Sequence, residues 1–229
     1  SRMSGDQNLN ADMSTRVVMR AADMDWQPSP SPTVWRKRFY RDGPAEAGVV
    51  TSLVRYDAGS AFPTHQHPDG EEIFVLDGVF SDEHGDYPAG TYLLNPDGTS
   101  HAPFSKDGCT LFVKLRQYKG EGRTQVEMNT GVLDWQARND NGVWHKPLYR
   151  QGGYREWTVL LKLAPGAESP HHSHPGGEEV FVIDGEFSDT CGTYPAGTWV
   201  RSPPGSSHKI TSEKGAILYV RSGGIEVPV

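Results

Sequence analysis

The stretch GSAFPTHQHPDGEEIFVLDGVFSD, residues 59–82, is written a second time as GAESPHHSHPGGEEVFVIDGEFSD, residues 166–189. The offset is 107 residues, and it holds through YPAGTYLLNPDGTSH (87–101) and YPAGTWVRSPPGSSH (194–208). Upstream, DWQ at 25–27 recurs at 134–136, and Trp35, Tyr40 and Arg41 recur as Trp144, Tyr149 and Arg150. There the offset is 109, so the second copy is two residues shorter between these points. Such a change between fixed elements is the behaviour of a surface loop. A period near 107 is too long for a solenoid unit and suits a small self-sufficient domain. The duplication predicts domains over residues 20–122 and 130–229, a linker at 123–129 and a flexible N-terminal segment, 1–19.

Each copy reads as β structure. VVTSLVRY (49–56), EWTVLLKL (156–163), EIFVLDG, EVFVIDG, TLFVKLRQY and AILYVRSG are short and rich in apolar and β-branched residues. They end at turn formers, supplied by 26 Gly and 17 Pro. No segment carries sustained helical periodicity with caps at both ends. Short strands at roughly ten-residue spacing predict an all-β sandwich or barrel in each half.

Composition narrows the functional classes. A net charge of -7 and no basic cluster argue against direct nucleic-acid binding. No apolar run approaches the ~20 residues of a membrane span, and the N-terminal stretch lacks the apolar core of a signal peptide. Cys109 and Cys191 are too few for a disulfide framework. The expectation is a cytoplasmic protein with reduced thiols.

Six of the nine histidines fall into two identically spaced sets. His65, His67, Glu71 and His101 form one, and His172, His174, Glu178 and His208 the other. Residues i and i+2 of a strand share a face, so each His-x-His pair can converge on one point. Three neutral imidazoles and a carboxylate suit a borderline divalent metal, with Zn, Fe, Ni, Cu and Mn all admissible. Four such ligands close a tetrahedral zinc but leave two positions open on an octahedral ion. Strand alternation turns Glu72, Glu179 and His171 away from the pocket. His84 and His145 align with Cys191 and Arg36, which marks them as surface residues. Phe74, Tyr92, Phe181 and Trp199 are expected in the core, although a place in the pocket wall is open to them. An inward-facing Arg55, Lys114 or Lys162 would anchor an anionic ligand.

These residues match the two motifs of the cupin superfamily. The first is carried by Gly59, His65, His67, Glu71 and Gly78, and again by Gly166, His172, His174, Glu178 and Gly185. The second is carried by Gly90, Pro96, Gly98 and His101, and again by Gly197, Pro203, Gly205 and His208. Ser105 and Ser212 stand where the second motif has asparagine. The chain thus resembles a bicupin, two tandem jelly-roll or β-barrel domains. The HP(D/G)GEE spacing and the YPAGT turn are most similar to the cupin domain of ChrR-type anti-sigma factors, and more distantly to acetylacetone-cleaving dioxygenases. The resemblance implies a divalent transition metal at each set: zinc on the ChrR comparison, iron, manganese or nickel otherwise. It implies a regulatory or sensing module, with a dioxygenase of small organic acids or diketones as the alternative and a storage or structural bicupin as a third. A small-molecule ligand or substrate and a homodimer are further expectations. One departure argues against a sigma factor as direct partner. Residues 1–64 contain no Cys or His, so the zinc domain that grips sigma in ChrR proteins is not represented.

Overall fold

The structure, a computed structural model, describes residues 8–138 and 141–228. Among these, strands dominate and the only helical elements are two short 3-10 turns, Ala21–Asp23 and Thr130–Val132. The fold is all-β, two jelly-roll units.

In the first unit the main sheet runs, in order, Val126–Asn129, Thr91–Asn95, Glu71–Asp82, Cys109–Leu115, Val49–Tyr56, Val34–Asp42 and Gln27–Pro28, all antiparallel. Short strands make the opposing layer. Gly85–Pro88 and Phe104–Ser105 pair with the far half of Glu71–Asp82, and His65–Gln66 pairs with Ser100–His101. The second unit repeats this order as Val17–Arg20, Thr198–Ser202, Glu178–Asp189, Ala216–Ser222, Trp157–Leu163, Val143–Arg150 and Gln136–Ala137. Its opposing layer pairs Ala167–His174 with Ser206–Ser212.

Each unit encloses its own apolar core. Ile73, Val75, Phe80, Leu93, Leu111 and Val113 fill the first, and Val159, Val180, Val182, Phe187, Leu218 and Val220 the second. The alternation of Glu71, Ile73 and Val75 explains the placement: one face of the strand carries both the core residues and the ligand Glu71.

The long strand Glu71–Asp82 passes from one layer to the other, and Gly78 makes the bend. Its φ is 73°, and a Cβ there would lie 2.3 Å from the Gly108 carbonyl oxygen. Gly185 is its twin, with φ 71° and only 2.0 Å to the Gly215 carbonyl oxygen. Both are motif glycines, required because no side chain fits between the two backbones.

The unit boundaries differ from the expected domain limits. Unit one comprises Met24–Val132 with the described residues up to Ala11, and unit two comprises Asp12–Asp23 with Leu133 onward. Val17–Arg20, of which all but Arg20 was expected to be flexible, is a strand on the second unit's sheet, with Val17 opposite Arg201. Val126–Asn129, expected wholly as linker, is a strand on the first unit's sheet, with Val126 opposite Leu94. The first strand of each sequence copy therefore completes the other unit. The two are equivalent in the repeat, so each sheet edge gains the same alternating strand whichever copy supplies it.

Candidate metal centres

In the first unit the loop of His65–Gln66 lies antiparallel to Ser100–His101, with His65 directly opposite His101. The chain then turns through Asp69, at φ 57°, and Gly70 to bring Glu71 in at the start of its strand. The result is one group in which a nitrogen of His65, His67 and His101 and an oxygen of Glu71 all lie within 4.8 Å of one another. His67, Glu71 and His101 are buried and His65 is half-buried. His172, His174, Glu178 and His208 form the same arrangement in the second unit, with His172 opposite His208. All eight residues expected as ligands are thus brought together in two sets of four.

Hydrogen bonds behind the rings fix which nitrogen faces inward. Thr99 donates its hydroxyl to the Pro96 carbonyl at 2.6 Å, so its oxygen accepts the His67 Nδ1–H at 2.9 Å. Asp82 Oδ2 accepts the His101 Nδ1–H at 3.2 Å. The Pro63 backbone hydrogen-bonds His65, and in the second unit the Pro170 carbonyl accepts the His172 Nδ1–H at 2.8 Å. A neutral imidazole with its proton on Nδ1 presents a bare lone pair at Nε2. Each such ring is therefore oriented as a metal ligand held from behind by a backbone or side-chain acceptor.

The inward atoms are acceptors without donors. His67 Nε2 and Glu71 Oε1 are buried and make no hydrogen bond, although they lie 3.4 Å apart. His208 Nε2 lies 3.0 Å from both His174 Nε2 and His172 Nε2, and 3.4 Å from Glu178 Oε1. Converging lone pairs of this kind repel one another and leave buried polar groups unsatisfied, at a cost of about 1–3 kcal/mol each. A divalent cation relieves both, so the donor set fits such an ion at each centre.

Electrostatics agree with the geometry. Burial pushes the His67 imidazole down to about 3, with His101 and His65 adding to the effect. Burial also lowers His65, His101 and His208. It raises Glu71 to about 7, against the pull of an Asn95 hydrogen bond. Neutral imidazoles are the form that ligates metal, and a buried carboxylate raised this far gains most from a nearby positive ion.

The neighbours divide as strand alternation predicts, with one difference. Glu72 and Glu179 face away from the metal ligands, yet both are buried. Glu72 accepts the hydroxyls of Tyr92 at 2.6 Å and Tyr118 at 2.5 Å, and Glu179 accepts the Trp199 indole at 3.3 Å. A single strand shows which face a residue takes but not what covers that face. His171 is exposed, and so is His84, which lies 3.5 Å from Glu83. His145 is half-buried rather than fully at the surface. Phe74, Tyr92, Phe181 and Trp199 are core residues. None of Arg55, Lys114 and Lys162 faces a centre. Lys114 is buried on Thr51, and Arg55 and Lys162 stack over Trp26 and Trp135. Asp82 and Thr99 were not singled out from the sequence. The signal for Asp82 was available, because SD at 81–82 and 188–189 is part of the duplicated stretch, and Thr99 recurs as the hydroxyl residue Ser206.

The two centres are not identical behind the rings. Asp189, the twin of Asp82, shares one bond and not the other: its Oδ1 accepts the Tyr194 hydroxyl at 2.8 Å as Asp82 Oδ1 accepts that of Tyr87 at 3.0 Å, but its Oδ2 pairs with the Arg16 guanidinium at 2.9 Å. Arg16 corresponds in the repeat to Gln125, which bonds Asn95 instead.

Two jelly rolls, each with three imidazoles and a glutamate aimed at one point, define a cupin-type metal protein. The chain belongs to the ChrR Cupin-like domain family, which matches it twice, over residues 14–119 and 123–226. No curated protein matches it significantly. Among solved structures, a candidate dioxygenase from Nostoc punctiforme superposes with a TM-score of 0.77 at 14% identity, covering 94% of this chain and 85% of that one. Escherichia coli pirin YhhW in complex with nickel(II) gives 0.68 at 13% identity, with 94% and 100% covered. Lactobacillus farciminis oxalate decarboxylase in its formate complex gives 0.63 at 13% identity, with 92% and 86% covered. At these identities the likeness is one of fold.

Proposed function

We propose that this chain is a divalent-metal protein whose centres bind and act on a small organic acid or diketone, most simply as an oxygenase. The observation that supports this is the placement of the donor sets: four ligand atoms converge in each unit, and in the second they line a cavity shared with Val159, Leu161, Leu218 and Val220. A metal held there supplies Lewis acidity and, for iron or manganese, an electron path. The protein's own part is positional. Thr99, Asp82 and the Pro63 and Pro170 backbones hold the rings, Glu71 and Glu178 supply the negative charge, and the apolar walls exclude water.

The sensing module is the second reading, favoured by membership of the ChrR Cupin-like family. In it, zinc is held at the centres and a ligand or oxidant alters a protein partner. Elemental analysis of the purified chain, followed by oxygen uptake with iron, manganese, nickel and zinc across β-dicarbonyl and oxo-acid substrates, separates the two. Uptake with a redox-active metal supports the enzyme. Zinc at both centres, no turnover, and chelator-sensitive capture of a sigma factor support the sensor.

A further inference from the structure

The two copies share their ligands but not the space beside them. In the first unit the cavity at His65, Glu71 and His101 measures about 160 Å³, and a second of about 260 Å³ adjoins it, sharing Val54, Phe62 and Leu115 in its wall. In the second, the cavity at His172, His174, Glu178 and His208 measures about 490 Å³. Pockets that enclose small organic ligands span about 300–1,000 Å³, so only the second lies within that range.

The repeat locates the cause. Tyr56, Phe62 and Phe80 form an aromatic cluster in the first barrel, with ring centroids 5.4 Å apart for Tyr56–Phe62 and 5.7 Å for Tyr56–Phe80. At the 107-residue offset, Tyr56 becomes Leu163 and Phe62 becomes Ser169, while Phe80 remains aromatic as Phe187. Ser169 lines the larger cavity, as does the apolar set Val159, Leu161, Leu218 and Val220. Arg138 stands there as well, its guanidinium 5.7 Å from the Trp157 ring centroid. It is the sole Lys or Arg among the described lining residues, and its counterpart in the first copy is Ser29.

We propose that the second barrel is the ligand-receiving one and takes an organic anion with an apolar body, while Phe62 divides the first barrel into two smaller cavities and leaves its centre a holding site for metal. Donor oxygens of the ligand meet the open side of the second centre, its body lies along the aliphatic walls, and Arg138 favours a negative over a positive guest. This rests on the metal reading above and names the barrel and the ligand class.

The test is calorimetric titration of the metal-loaded chain with phenylpyruvate, an oxo acid with an apolar ring. One equivalent per chain is expected. Ser169→Phe, which installs the residue its twin already accommodates, should weaken binding at least about tenfold, and Arg138→Gln about three- to tenfold. Phe62→Ser should leave that equivalent at its original affinity. Metal content of each variant is measured first. If Ser169→Phe loses metal, the smaller Ser169→Leu takes its place. No binding, two equivalents in the unaltered chain, or binding indifferent to the residue at 169 would overturn the proposal even with both centres metal-loaded. Failure to load metal would instead strike at the metal reading.

Discussion

Asp82 and Asp189 stand at the same place in the repeat and serve different partners. Asp82 Oδ2 holds the His101 ring from behind, whereas Asp189 Oδ2 is tied to Arg16. Loss of such a supporting carboxylate typically lowers metal affinity about 10- to 100-fold. Asp82→Asn is therefore expected to weaken metal retention at the first centre by that amount. Asp189→Asn should change the second centre much less, and competition with a chromogenic chelator resolves the two. The imidazoles and Glu71 set the pH response. Burial lowers His67 to about 3 and also lowers His65 and His101. Their neutral, ligating forms thus persist below the free-histidine value of about 6.5. The sign follows: depressed imidazoles stay available as donors below the free-histidine value, whereas Glu71, raised to about 7, takes up a proton first and works against metal as the pH falls. The first centre should therefore hold metal less tightly as the pH drops below about 7, with the imidazoles resisting protonation longer than free histidines would. Metal analysis after gel filtration at stepped pH checks this. Metal retention that did not change with pH would mean that these groups do not ligate.

At the scale of the element, the strand Glu71–Asp82 carries the argument. It places Glu71 at the centre and Ile73 and Val75 in the core, and it bends at Gly78 where the Gly108 backbone comes close. Gly78→Ala forces a left-handed conformation on a β-carbon and drives it into a carbonyl. Backbone strain alone costs about 1–3 kcal/mol, so a clear fall in the unfolding midpoint in urea is expected, and an unchanged midpoint would refute this account of the bend. The element scale is also where sequence reading and structure part. The strand runs, their alternation and the His-x-His face were legible because they depend on local periodicity. The pairing of Val17–Arg20 with Thr198–Ser202 and of Val126–Asn129 with Thr91–Asn95 was not. The two N-terminal strands, VVMR and VEMN, share the Val and Met of one face, and that local pattern does not say which sheet edge a strand completes.

For the whole molecule, metal and fold are linked. Each centre draws ligands from loops and strands far apart in sequence, such as His65 and His101, and the first leaves His67 Nε2 and Glu71 Oε1 buried and unsatisfied. A ligand that binds only the folded state stabilises it by about 2.7 kcal/mol at a hundredfold excess over its Kd. Chelation should lower the thermal midpoint, and re-addition of zinc should restore it with two ions taken up per chain. A midpoint indifferent to chelator would show that the clusters do not hold metal. All eight candidate ligands were legible because the duplication selected them: a position that recurs at fixed spacing, as His172 does for His65 and His171 does not, was separated from its neighbours without coordinates.

The sequence by itself determined the duplication, the β character of each copy, the two ligand sets and the outward turn of Glu72, Glu179 and His171. These rest on spacing and on the two-residue period of a strand, which act locally. Only the tertiary structure decided which strand completes which sheet, why the carboxylates beside the ligands are buried, and how the two centres differ. Those differences arise where residues distant in sequence meet: Arg16 at Asp189, Phe62 against Tyr56, and Arg138 at the cavity that Ser169 leaves open. Side-chain volume and charge act through contact, and contact is set by the fold as a whole.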